Sequence, residues 1–146
     1  MRILVDADAC PVKQIILRLA REKAIPVTML IDTAHELRDD YSTIITVDKQ
    51  ADSVDYALMK LLTPADIVVT QDFGLAAMVI GKGARALIQN GLIFTNDNID
   101  TLLLERHLGQ KIRRSGGRTK GPPKRTKDDD ARFEAAFTNL LSTIPA

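Results

Sequence analysis

Short apolar runs alternate with longer amphipathic stretches along most of this chain. Ile3-Leu4-Val5 is a continuous apolar run, which is typical of a strand buried on both faces of a sheet. The pattern predicts further strands at 27–31, 43–47, 67–70, 84–88 and 92–95, and helices at 12–23, 53–62, 75–81, 99–108 and 128–141. Strands that alternate with helices predict an α/β fold, as a single three-layer domain with a mainly parallel central sheet.

The composition is that of an ordinary globular domain. The chain has 146 residues, of which 45% are hydrophobic and 27% are charged. Its single cysteine, Cys10, excludes an intramolecular disulfide, and we expect a buried, inert thiol. The longest apolar run, Leu75 to Ile80, is far shorter than a membrane span, and no signal peptide is readable. We therefore expect a cytoplasmic protein with no membrane partner, whereas the sequence leaves its oligomeric state open.

The formal net charge of +1 conceals an uneven distribution. Residues 1–105 carry 10 basic and 15 acidic side chains, whereas residues 106–127 carry nine basic side chains and no acidic one. This basic segment precedes a predicted C-terminal helix at about 128–142, and we treat residues 1–146 as one domain that includes both. A concentrated basic segment on an acidic body indicates a polyanionic partner.

Aspartates follow several of the predicted strands. Asp6 and Asp8 follow the first strand and Asp72 follows the fourth, while Asp52 and Asp55 begin the second helix. Because ligands of open parallel sheets bind beyond the carboxyl ends of the strands, these side chains are candidates for one site. Clustered carboxylates repel one another unless a cation lies among them, and oxygen ligands of this kind favour Mg²⁺ or Mn²⁺. The alternative is that each aspartate serves only as a turn former or helix cap.

Three segments of the sequence resemble the PIN-like nuclease superfamily: ILVDADACPVK, VDKQADSVDYAL and VVTQDFGLA. Together with RHLGQKIRRSGGRTKGPPKRT they look more specifically like the small bacterial YaiI/YqxD family. The resemblance implies a PIN-like fold and metal-dependent nuclease chemistry. Because it covers nearly the whole chain, it extends to the basic segment, which is an addition to the core PIN pattern.

The resemblance also implies roles for individual residues. Asp6 matches the superfamily's acid after the first strand, Asp52 and Asp55 match the acids of the mid-chain helix, and Asp72 matches a Thr-x-Asp position that begins at Thr70. The acidic pair formed by Asp6 and Asp8 is a departure from the usual PIN start, and the acid expected after the second strand has no clear equivalent here.

The resulting hypothesis is hydrolysis of phosphodiester bonds in RNA or another nucleic acid. Asp6, Asp8 and Asp72 would hold one or two divalent ions, and Asp52 and Asp55 would complete the site or orient the attacking water. Two alternatives stay open at this point. One is a haloacid-dehalogenase-type phosphatase with Asp6 as nucleophile and Asp8 as acid and base. The other is a non-catalytic nucleic-acid-binding module.

The basic segment supplies the candidate nucleic-acid-binding residues. They are Arg113, Arg114, Arg118, Lys120, Lys124 and Arg125. No aromatic residue lies between positions 106 and 127, so the sequence predicts contacts to phosphates rather than stacking on bases. The alternative is a solvated tail, or one whose cations pair with Asp128, Asp129 and Asp130.

Overall fold

The computed structural model describes residues 1–32, 37–48, 53–117 and 124–143. Within these ranges, the strands are β1 (Ile3–Asp6), β2 (Val27–Asp32), β3 (Thr43–Val47), β4 (Ile67–Val69), β5 (Arg85–Leu87) and β6 (Ile93–Phe94). The helices are α1 (Lys13–Glu22), α2 (Val54–Leu61), α3 (Phe73–Gly81), α4 (Ile99–Arg114) and α5 (Lys127–Ser142). None of these helices combines the length and the hydrophobicity that crossing a bilayer requires.

The strands form one sheet in the order β3-β2-β1-β4-β5-β6. The first five strands in this order are parallel, and β6 closes the edge antiparallel to β5 through a turn at Asn90-Gly91. In the centre, Val5 lies in register with Met29 of β2 on one side and with Val69 of β4 on the other. The carboxyl ends of β1, β2 and β4 therefore meet at one edge.

Helices cover both faces of the sheet because the central strands are apolar on both sides. Ile3 and Val5 point into a core that includes α1 and the stacked rings of Phe133 and Phe137 in α5. Leu4 points the other way, into a second core built with α2, α3 and α4. This arrangement confirms the predicted three layers, with α1 and α5 in one outer layer and α2, α3 and α4 in the other.

The main correction to the predicted elements concerns the basic segment. The pattern ended the fourth helix at Leu108, but α4 continues to Arg114. Its last two turns carry exposed basic residues without an apolar stripe that packs on the body, so hydrophobic periodicity gave no signal for them. The first part of the basic segment is consequently helical rather than irregular.

The helix α5 has a clear start signal at its N-terminus. Thr126 caps its N-terminus in a reciprocal capping box with Asp129, and three aspartates lie in its first turn. Arg18 of α1 forms an ion pair with Glu134 of α5 on the surface of the same layer. The C-terminal helix thus packs into the core on this face of the sheet.

Candidate functional site

The candidate site lies where the strand order reverses. From β1 the chain builds outward through β2 and β3 on one side, and from β4 through β5 and β6 on the other. This reversal leaves a crevice beyond the carboxyl ends of β1 and β4, which is the usual ligand-binding position of open α/β sheets. Asp6 ends β1, and Thr70 and Asp72 follow β4. The fold therefore brings two of the predicted acidic positions to the switch point from distant parts of the chain.

A threonine connects the two strand ends. The Thr70 side chain is buried, and its hydroxyl donates to a carboxylate oxygen of Asp6 at 2.9 Å. The backbone N–H of Asp72 donates to the same hydroxyl oxygen at 3.0 Å. Because the hydroxyl is donor to one residue and acceptor from the other, it fixes the position of Asp72 relative to Asp6.

Asp8 is positioned by the neighbouring strand. Both of its carboxylate oxygens face the backbone N–H of Asp32, at 3.3 and 3.4 Å, at the end of β2. The turn that carries Asp8 is tight, since Ala9 has a φ of +55° and the Cys10 N–H donates to the Ala7 carbonyl at 3.3 Å. A non-glycine residue at positive φ is uncommon, and such strain is typical of functional loops.

The carboxylates act on one another electrostatically. The pKa of Asp6 is raised, first by burial and then by the charges of Asp8, Asp72 and Asp55, against the lowering effect of the Thr70 hydrogen bond. Three acids that were predicted to share the site therefore lie within electrostatic reach of Asp6. Asp52, the fifth predicted acid, lies outside the described residues.

The carboxylates fit a divalent cation by their chemistry. The negative charges that raise the pKa of Asp6 would be offset by a hard cation such as Mg²⁺ or Mn²⁺ among these carboxylates. In the described part of the chain, however, no three His, Cys, Asp or Glu side chains converge closely enough to enclose an ion as they stand. Asp6, Asp8 and Asp72 thus provide suitable ligand atoms without forming a closed cage.

Two of the acids also have the helix-terminus roles that the sequence analysis kept as an alternative. Asp72 caps α3 by accepting a hydrogen bond from the Leu75 N–H at 3.2 Å. Asp55 lies in the first turn of α2, where a negative charge is favourable, and it accepts a bond from the Tyr56 N–H at 3.0 Å. Capping and participation in the acidic site are not exclusive, since both residues also raise the pKa of Asp6.

Both described ends of the basic segment are held beside this edge of the sheet. Arg106 lies over the ring of Phe73, with 4.9 Å between its guanidinium carbon and the ring centroid, and Phe73 directly follows Asp72. At the other end, Arg125 donates to Asp130 at 2.6 Å and to the Gln89 carbonyl at 3.0 Å. Gln89 comes just after β5, the strand next to β4.

The remaining predicted nucleic-acid-binding residues differ in their positions. Arg113 and Arg114 are exposed on the last turn of α4, and Lys124 is exposed shortly before α5. Arg118 and Lys120 lie outside the described residues. The pair between Arg125 and Asp130 is one of those that the alternative interpretation of the segment expected, so part of this cation's charge is used within the protein.

Sequence reasoning missed two polar residues at the site. Lys13, the first residue of α1, donates from Nζ to the Ala7 carbonyl at 3.2 Å, between the two acids of the first loop. Gln71 donates from Nε2 to the Ala9 carbonyl at 2.8 Å and so connects the loops that follow β4 and β1. Lys13 lies seven positions after Asp6 and Gln71 directly precedes Asp72, so proximity in the sequence was the available signal for both.

Comparison with known proteins identifies the family. The family model described as "Uncharacterized BCR, YaiI/YqxD family" matches residues 4–143 of the chain. The chain belongs to the YaiI/YqxD family. It is similar to a UPF0178 protein of Ruminiclostridium cellulolyticum, with 63% identity over 94% of this chain and 90% of the relative. A UPF0178 protein of Lachnoclostridium phytofermentans is 56% identical over 99% of both chains.

A third YaiI/YqxD relative extends the comparison to another genus. The UPF0178 protein of Exiguobacterium sibiricum is 50% identical over 97% of both chains. No solved structure gives a significant match. The family assignment that the sequence motifs suggested is therefore confirmed across almost the whole chain.

Proposed function

We propose that this YaiI/YqxD protein is a metal-dependent nuclease that hydrolyses phosphodiester bonds in RNA. The observation that carries the proposal is the convergence of Asp6 and Asp72 at the switch point of the sheet, where the buried Thr70 hydroxyl bonds to both residues. The raised pKa of Asp6, caused first by burial and then by the charges of Asp8, Asp72 and Asp55, supports it. A cluster of acids in a ligand-binding crevice is costly for the folded protein, and a divalent cation would offset that cost.

Asp6, Asp8 and Asp72 would hold the cation, as the sequence analysis proposed. The cation, Mg²⁺ or Mn²⁺, supplies stabilisation of phosphate charge and activation of water when bound. Thr70 orients the carboxylate of Asp6 through its 2.9 Å hydrogen bond. Asp55, in the first turn of α2, contributes negative charge within electrostatic reach of Asp6 and would orient the attacking water.

The basic segment would hold the nucleic acid next to these acids. Arg106 and Arg125 fix its described ends near Asp72 and near the end of β5, so a strand bound along the segment would run past the acidic crevice. Binding through phosphates should depend steeply on salt and little on base sequence. A cytoplasmic location, where RNA is abundant, is part of the same proposal.

The decisive experiment measures cleavage of a labelled single-stranded RNA by the purified protein with Mn²⁺ or Mg²⁺. We expect cleavage that EDTA abolishes and that falls at least about a hundredfold in the Asp6→Asn plus Asp72→Asn variant, because both ligand charges are lost. The control is Asp97→Asn, an exposed aspartate just before α4. Equal background rates for the native protein and the double variant would show that the proposal is wrong.

The same preparation distinguishes the phosphatase alternative. A phosphatase that uses Asp6 as nucleophile would form an aspartyl phosphate, and beryllofluoride would bind in its place. The nuclease needs no covalent intermediate. A stoichiometric beryllofluoride complex that Asp6→Asn abolishes would therefore contradict the nuclease mechanism.

A further inference from the structure

Lys13 lies beside the first acidic loop. It is the first residue of α1, and its half-buried side chain turns back so that Nζ donates to the Ala7 carbonyl at 3.2 Å. Ala7 separates Asp6 from Asp8 in the chain. The fold thus brings a cation to the loop that carries two of the proposed metal ligands.

Helix stability does not account for a lysine at this position. The N-terminus of a helix is its positive end, where a cation is unfavourable and an acid is favourable. The first turn of α1 contains no acidic residue, and its cap residue, Val12, makes no side-chain capping bond. By contrast, the first turns of α2, α4 and α5 each carry an acidic residue, namely Asp55, Asp100 and Asp128. Lys13 therefore occupies a place that local energetics disfavour.

The Lys13 ammonium group lies next to the acidic loop, because its acceptor, Ala7, stands between Asp6 and Asp8 in the chain. An ammonium group has three donors, and the bond to Ala7 uses one of them.

A phosphate that approaches several carboxylates meets repulsion unless cations lie beside them. We propose that Lys13 is a substrate-binding residue whose ammonium group donates to a phosphate oxygen of a polynucleotide at the Asp6 and Asp8 side of the crevice. The inference rests on the proposed function, because it takes the ligand to be a nucleic acid. It adds a contact within the crevice itself, whereas the candidates in the basic segment lie along its border.

The test measures binding of a fluorescent 20-nucleotide oligouridylate by anisotropy, with Ca²⁺ replacing the catalytic cations, over a series of salt concentrations. Lys13→Gln should weaken binding at least about tenfold, because a charge-assisted hydrogen bond is lost. The slope of log affinity against log salt should become shallower by about 0.7, the value for one lost contact to single-stranded nucleic acid. Lys13→Arg should keep most of the slope because it keeps the charge.

The matched control is Lys23→Gln, which removes an exposed lysine just after the other end of α1. It should leave affinity and slope unchanged. Thermal unfolding of every variant shows whether loss of the Ala7 contact alters the loop. A lower affinity of Lys13→Gln with an unchanged salt slope would mean a purely structural role and would overturn the inference. An affinity equal to that of the native protein, or no binding by the native protein at low salt, would also overturn it.

Failure of this inference and failure of the nuclease proposal have different signatures. If Asp6→Asn plus Asp72→Asn leaves the cleavage rate unchanged while Lys13→Gln reduces the salt slope, the hydrolysis proposal is wrong and the phosphate contact stands. If the double variant loses cleavage while Lys13→Gln keeps the native slope, the hydrolysis proposal stands and Lys13 does not bind phosphate.

Discussion

The Thr70 hydroxyl joins Asp6 across the boundary between β1 and β4, with 2.9 Å between the hydroxyl oxygen and the carboxylate oxygen. The two residues are 64 positions apart in the chain. Since Thr70 is buried, no water competes freely for this bond, and the hydroxyl also accepts from the Asp72 N–H. The geometry of the acidic site therefore depends on a neutral side chain.

Replacing Thr70 with valine tests that dependence. Thr70→Val keeps the shape of the side chain but removes the hydrogen bond that lowers the pKa of Asp6, so this pKa should rise further. Unfolding free energy should fall by about 1 kcal/mol or somewhat more, since the Asp72 N–H also loses its acceptor. Carbon-detected NMR titration of the Asp6 carboxyl and chemical denaturation measure the two effects.

The control for this prediction is Thr46→Val, on the exposed side of the edge strand β3. It should change neither the pKa of Asp6 nor the free energy of unfolding. An unchanged Asp6 titration in Thr70→Val would mean that the hydroxyl does not hold the carboxylate in solution.

Asp6→Asn should stabilise the metal-free protein at neutral pH. The folded-state pKa of Asp6 is raised, so in metal-free solution the native state holds its proton to higher pH than the unfolded chain does. Stability consequently falls as pH rises from the unfolded pKa through the folded pKa, and this loss persists at neutral pH. Asparagine carries no charge and avoids this loss of stability. In a chain of this size, each 1 kcal/mol of stability gained should raise Tm by about 2–4 °C.

The advantage of Asp6→Asn should shrink as pH is lowered and should vanish below the ordinary aspartate pKa, where the Asp6 carboxyl is protonated in both the folded and the unfolded chain. Thermal unfolding at a series of pH values in EDTA measures it. A variant that is less stable than the native protein at pH 7, with the difference growing as pH rises, would contradict the assigned burial and repulsion at Asp6.

Addition of Mn²⁺ should make the native protein more stable than the Asp6→Asn variant. A cation that binds only the folded protein stabilises it by about 2.7 kcal/mol at a hundred times its dissociation constant, which corresponds to about 5–10 °C in Tm here. Asp6→Asn and Asp8→Asn should lose most of this gain, whereas the surface variant Asp40→Asn should keep it. Equal gains in all three variants would place any bound cation away from the crevice.

The sequence predicted much of the architecture because the information is local. The continuous apolar run at Ile3-Leu4-Val5 and its equivalents specify buried strands, and Pro11, Pro26 and Pro64 mark element boundaries. The convergence of Asp6 and Asp72 also followed from an argument about parallel sheets. Each of these inferences needs only the chain's own periodicity and the general rules for α/β topology.

Most of the missed features are contacts of long polar side chains. The turning back of Lys13 to the Ala7 carbonyl and the stacking of Arg106 on Phe73 leave no periodic signal in the sequence. The extension of α4 to Arg114 is an exposed helix end, where hydrophobic spacing carries no information. Long polar side chains thus account for most of what sequence reasoning could not place.

Arg106 offers a way to separate anchoring of the basic segment from binding of nucleic acid. Arg106→Ala should lower the unfolding free energy by about 0.5–1 kcal/mol, because the contact between its guanidinium and the Phe73 ring is lost. Arg114→Ala removes an exposed charge at the end of the same helix and should leave stability unchanged. Both variants should weaken oligouridylate binding. Equal stability of the two variants would mean that the stacking contact contributes nothing in solution.

A substitution in the turn between β5 and β6 tests whether α5 holds the end of the basic segment in place. Gly91 has a φ of +92°, and a Cβ built on it would lie 2.6 Å from the Arg132 carbonyl oxygen of α5. Gly91→Ala should cost at least about 2 kcal/mol, because it combines backbone strain with a clash against a helix backbone. Since α5 begins two residues after Arg125, a shift of this helix should also weaken nucleic-acid binding.

The control for this prediction is Gly81→Ala, at the end of α3 with open space around its Cβ. It should be neutral or stabilise by up to about 1 kcal/mol. Chemical denaturation and anisotropy measure both properties, and a Gly91→Ala variant as stable as Gly81→Ala would contradict the close packing of α5 against this turn.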